Sequence, residues 1–220
     1  MVRVSDMLVE QTATPLNVSA YLALHLGLRC GETCGLRWGD VDLGKGCVYV
    51  RRSIGVADGG TFVKRPKSDA GIRVVYFDSP EVAQVLQARK SVQMLESGGV
   101  WPIDDSALYV TGAVLGDYAN PTTISRLWSS KANDYGLRCE NGSKCTFHAL
   151  RHTFVSGMDM AKVGERAKQR AAGHADAAMT EHCTHPDEIA QREAAQKLED
   201  LGYTEVYDMG GLVGWPYGLE

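Results

Sequence analysis

The chain has 220 residues, 44% of them apolar and 23% charged, with a formal charge of −4 and six cysteines. That length and apolar share describe one globular domain able to bury a core without disulfide or metal staples. No apolar run approaches the roughly 18 residues of a membrane span, and Arg3, Asp6 and Glu10 interrupt the start where a signal peptide needs an apolar stretch, so a soluble, cytoplasmic protein with reduced thiols is expected.

Leu16 to Leu26 is an apolar segment with helical spacing, started by Thr14-Pro15 and ending near Gly27. After Cys30-Gly31-Glu32 the pattern predicts a second short helix through Leu36 and Trp38, running into Asp40 and Asp42. The period then changes. Residues 47–50, 61–63 and 72–77 are rich in β-branched and aromatic residues and predict three antiparallel strands joined by glycine-containing turns. Ser79-Pro80 reads as a cap with proline at the first helical position of a helix over 81–96. Further helices are predicted from Pro121 through Ile124 and Leu127, from Phe147 to Met160, and over 165–172, 178–183 and 187–201. Trp38 and Trp128 are expected in the core. The fold class expected is α+β, mainly helical with a small three-stranded antiparallel sheet, over residues 1–201. Residues 202–220 follow as a tail that docks on the body or on a neighbouring copy.

Charge is unevenly spread. Residues 186–220 carry a net −6, leaving +2 over the first 185, where Arg51, Arg52, Lys64, Arg65, Lys67 and Arg73 crowd one short segment. Four clusters of Arg, Lys and His lie near predicted element ends: Gly27-Leu28-Arg29, Pro66-Lys67-Ser68, His148-Ala149-Leu150-Arg151-His152 and Ala172-Gly173-His174. His148 and Arg151, three apart on a helix, project from one face, a pairing of cations that is tolerated when an anion such as phosphate sits between them. Taken singly, each of these residues reads as a surface or capping group. The cysteine spacings, Cys30 to Cys34 and Cys139 to Cys145, do not match a thiolate zinc site, and no metal or cofactor is expected.

In order and spacing, the strings "GLRCGETCGLRWGDVDL" at 27–43, "PKSDAGIRVVYF" at 66–77, "HALRH" at 148–152 and "AGHADAAMTEHCTH" at 172–185 resemble the tyrosine recombinases, or phage-type integrases, in their catalytic domain. The resemblance covers about residues 8–201. It implies an integrase-type DNA breaking-rejoining fold and metal-free transesterification through a covalent 3′-phospho-enzyme. Arg29, Arg151 and His174 would hold the nonbridging phosphate oxygens, and loss of one such fixed donor typically costs about 10²–10³ in rate. Lys67 would protonate the departing 5′ oxygen, and His148 would assist proton removal from the nucleophile. Glu32 would orient Arg29, and Lys64, Arg65 and Arg73 would contact DNA. Double-stranded DNA and further copies of the chain are the partners implied, with no membrane. The amino-terminal companion that completes a clamp around duplex DNA in relatives is not in this sequence, so weak, salt-sensitive affinity is expected.

One position departs from the family's pattern. Nine residues after His174, where a tyrosine nucleophile is expected, stands Cys183, and no tyrosine occurs between Tyr135 and Tyr203. A thiolate is nucleophilic, but its sulfur lies several ångströms closer to the backbone than a phenolic oxygen and misses a phosphate placed for tyrosine. Binding without efficient cleavage is expected, and a non-catalytic DNA-binding remnant or competitor is the alternative. A sulfur-transfer or redox protein using Cys183 is a third reading, suggested by a faint rhodanese-like look of residues 202–220, whose partner catalytic loop has no counterpart here.

Overall fold

The computed structural model describes residues 13–65, 72–112, 116–139 and 142–164, with 167, 168, 171, 192, 193 and 195–197. Helix α1 (Pro15–Leu26) begins where the Thr14 hydroxyl accepts from the Asn17 N–H at 3.2 Å and Pro15 presets the first turn. It is buried on nearly every side from Asn17 to Leu26, as a helix with apolar residues all round must be. Around it pack α2 (Cys30–Gly35), α3 (Pro80–Glu96), α4 (Pro121–Asp134) and, most extensively, α5 (Phe147–Met160).

The expected second helix stops earlier than its sequence suggests. Helix α2 ends at Gly35, Leu36 turns extended, and Trp38–Asp40 form a separate 3₁₀ turn. Tertiary bonds override the local pattern here: Val110 N–H donates to Leu36 O and Trp38 N–H to Leu108 O, both at 2.9 Å. Trp38 is nevertheless buried, as is Trp128, while Leu127 on α4 is exposed.

The three-stranded antiparallel sheet is present, with a different membership. Its order is β1 (Val41–Asp42), β2 (Cys47–Val50), β5 (Arg73–Tyr76). The predicted strand over 61–63 instead belongs to β4 (Gly60–Lys64), which pairs with β3 (Ser53–Ala57) in a hairpin of its own, from Ser53 opposite Lys64 to Ala57 opposite Gly60. Two strands are thus inserted between β2 and β5, which are neighbours with Val50 opposite Arg73. Gly31 allows α2 to lie on this hairpin: a Cβ there would stand 2.5 Å from Ile54 O and from Ser53 Oγ.

Helix α3 starts at Pro80 as predicted, though the Ser79 hydroxyl donates to the Glu81 carboxylate rather than capping the backbone. Its inner face carries Arg89, fully buried, which donates to Val110 O at 3.0 Å, Ala13 O at 3.2 Å and the Glu96 carboxylate. Of the three helices predicted beyond residue 164, only 167, 168, 171, 192, 193 and 195–197 are described, all helical; the segment 178–183 and the tail 202–220 lie outside the described residues. Among the described residues no helix is long and apolar enough to cross a membrane.

Candidate active site

Arg29 stands immediately before α2, in extended conformation. Glu32, on the first turn, reaches back to accept from the Arg29 backbone N–H at 2.9 Å and from its Nη1 at 3.1 Å, the reciprocal arrangement of a helix start with an acid at the third position. The same carboxylate receives Arg73 as a fork, Nη1 to Oε1 at 2.9 Å and Nη2 to Oε2 at 2.7 Å. One buried carboxylate therefore serves two guanidiniums. The Glu32 carboxyl is moved from its ordinary value down to about 2: burial works against ionisation, and the bonds and charges of Arg73 and Arg29 overcome it. The Arg29 side chain stays 43% exposed while Glu32 is only 9% exposed.

Arg151 comes from α5 and is 3% exposed. It donates through Nη1 to the carbonyl of Gly27, on the turn leading to Arg29. Gly27 is at φ 63, and a Cβ there would meet the Phe154 ring at 2.3 Å. A glycine is thus required both by the left-handed turn and by the approach of α5. Burial, then the charge of Arg29, lower the Arg151 guanidinium to about 10, which leaves it cationic at neutral pH. His148 is exposed on the same helix, its ring perpendicular to that of His152 with centroids 4.4 Å apart. Desolvation first, then the charges of His152, Arg151 and Arg29, push its titration below the usual histidine range.

The described site therefore unites Arg29, Glu32, His148 and Arg151, and adds Arg73 as an inward-facing partner of Glu32. Lys64 and Arg65 are exposed at the end of β4, leading into the segment that holds Lys67. Lys67, His174 and Cys183 lie outside the described residues. The place of Arg73 had a signal in the sequence. In a strand, alternate residues share a face, and Arg73 shares one with Val75, which is buried, and with Phe77 beyond it. The Gly27 carbonyl had no such signal, because its partner Arg151 comes from 124 residues away, whereas His152 stands four residues after His148 on one helix and so was legible as its neighbour. No group of three or more His, Cys, Asp or Glu able to hold a metal occurs among the described residues.

The mainly helical α+β body with its small antiparallel sheet is an integrase-type catalytic fold. Residues 5–189 match the Phage integrase family, and the chain belongs to it. It is 27% identical over 192 residues to a tyrosine recombinase XerC-like protein of Caldanaerobacter subterraneus subsp. tengcongensis, an overlap of 82% of this chain and 48% of that protein. A prophage integrase IntR of Escherichia coli is 41% identical over 68 residues, 31% of this chain and 16% of the relative. The structure of the Tn1549 transposon integrase in complex with transposon right end DNA superposes with a TM-score of 0.59 at 23% identity, covering 80% of this chain and 57% of the other. The chain spans at most about half the length of these two curated relatives.

Proposed function

We propose that the chain is the catalytic domain of a site-specific DNA recombinase, acting in the cytoplasm on double-stranded DNA and assembling with further copies of itself there. The observation that carries this reading is the convergence of Arg29 and Arg151, each held by a backbone or carboxylate partner, beside His148. Positive groups so fixed stabilise charge as it develops on phosphorus, because they need no reorganisation at the moment of reaction. In the reaction the nucleophile attacks phosphorus and the bond to the 5′ oxygen breaks. The leaving oxygen takes a proton from Lys67 while His148 accepts the one released by the nucleophile and His174 joins the arginines on the nonbridging oxygens. Lys64 and Arg65 would bind flanking phosphates.

Cys183 at the nucleophile position favours a second reading of the same site, a binder that does not cut. The shorter reach of a thiol removes near-attack geometry while leaving the phosphate grip intact. A nicked suicide duplex carrying the target sequence separates the two. Covalent adducts with the chain as it stands support an active enzyme. Adducts only after Cys183→Tyr support the binder, and no duplex binding by either protein refutes the DNA reading altogether.

A further inference from the structure

We propose that Arg73 is a positioning residue that holds Arg29 through Glu32 and ties strand β5 to the chain just before His174, and that it makes no phosphate contact of its own. The inference rests on the reading of Arg29 as a phosphate ligand. Arg73 has a side chain only 9% exposed, on the buried face of β5. Both terminal nitrogens are taken by the two oxygens of Glu32, and Nε donates to Ala171 O at 3.1 Å. All three nitrogens of its guanidinium are thus committed, and the two-pronged edge that would grip a phosphate already holds a carboxylate. The three attachments belong to separate stretches of chain. Glu32 fixes the turn of Arg29, β5 closes the segment bearing Lys67, and Ala171 lies three residues before His174. Arg73 is where these stretches are fastened together. A lysine in its place would keep the charge and lose the two-pronged geometry.

The test compares the full chain with Arg73→Gln, Arg73→Lys and, as a surface reference, Lys64→Gln. Three quantities are read: amide exchange at Arg29, the titration of the His148 ring by NMR, and the salt dependence of duplex binding by anisotropy. In Arg73→Gln, exchange of the Arg29 amide, whose acceptor is Glu32, should speed up about tenfold, the equivalent of roughly 1.4 kcal/mol of local opening. Exchange in α3 should stay unchanged. The His148 midpoint should rise as the Arg29 charge moves away, a shift that a loss of global stability alone does not produce. Arg73→Lys should give intermediate values. The slope of log affinity against log salt should be that of the parent, while Lys64→Gln, removing an outer cation, flattens it by about 0.9. A slope lowered by that amount in Arg73→Gln, or an Arg29 amide and His148 midpoint that do not move, overturns the proposal. If the parent chain does not bind duplex at all, the DNA reading fails by itself, and exchange and titration still decide whether Arg73 positions Arg29.

Discussion

Arg151 and Gly27, 124 residues apart in the chain, are joined by a hydrogen bond from guanidinium to carbonyl. The bond ties α5 to the turn between α1 and α2, so each arginine of the proposed chemistry has a partner within the protein, a backbone oxygen for Arg151 and a carboxylate for Arg29. Neither depends on DNA for its placement.

Gly27→Ala should therefore be costly. The substitution meets a φ of 63 and places a methyl 2.3 Å from the Phe154 ring, which together should cost about 2–3 kcal/mol. Urea unfolding measures the loss, and a variant as stable as the parent would contradict the close approach of α5. Because the strained turn shifts the carbonyl that accepts from Arg151, duplex affinity should fall as well.

Acid should expose the contribution of Glu32. Its carboxyl is lowered from 4.5 to about 2 in the folded protein, so it stabilises the fold above its unfolded value, and that stability is lost as pH falls from about 4.5 towards about 2. The difference corresponds to about 3 kcal/mol. Glu32→Gln should be less stable than the parent at pH 7, and the gap should narrow through that acid window. A gap independent of pH would show that the carboxylate charge is not what holds the two arginines.

His148 should titrate below 6.5 when followed by ring proton shifts, because desolvation and then the charges of His152, Arg151 and Arg29 disfavour its cation. The linkage sign follows: the neutral ring favours the folded state above the unfolded value of about 6.5, and that contribution is lost as pH drops through the lower folded value. His152→Gln removes the nearest ring, 4.4 Å away, and should move the midpoint upward. An unmoved midpoint would assign the shift to desolvation and the arginines alone.

Arg89 joins three parts of the body. Its removal in Arg89→Ala leaves the carbonyls of Val110 and Ala13 without their donor and opens a cavity at a fully buried position. A destabilisation of about 3–5 kcal/mol is expected from denaturant unfolding. Its effect on the salt slope of DNA binding should be nil, since it lies on α3, apart from the proposed phosphate site.

Much of the fold is legible in the chain because local rules and burial agree there. Thr14-Pro15 and Gly27 bound α1 as read, and α5 runs from Phe147 to Met160 as predicted. The sheet is less legible. Val41–Asp42 is too short to show a period, and β3 contains Gly55, where a Cβ would meet the Phe62 ring at 2.7 Å. A strand with a glycine at its centre gives a weak alternating signal, although the cross-strand partner needs that space. Helix α2 is shorter than its pattern predicts for a related reason: the bonds that draw Leu36 and Trp38 out of the helix come from residues more than 60 positions away.

The sequence by itself determined the class of domain, because four motifs in order carry side chains whose types are dictated by the chemistry of a phosphate. It also determined that a cysteine, Cys183, stands nine residues after His174, a matter of covalent identity. Only the tertiary structure decided how the arginines are shared out, with Arg73 facing Glu32 and Arg151 facing Gly27. A guanidinium reads the same in the chain whether it faces solvent or a carboxylate. Which of the two it faces is set by burial and by partners that folding brings from elsewhere.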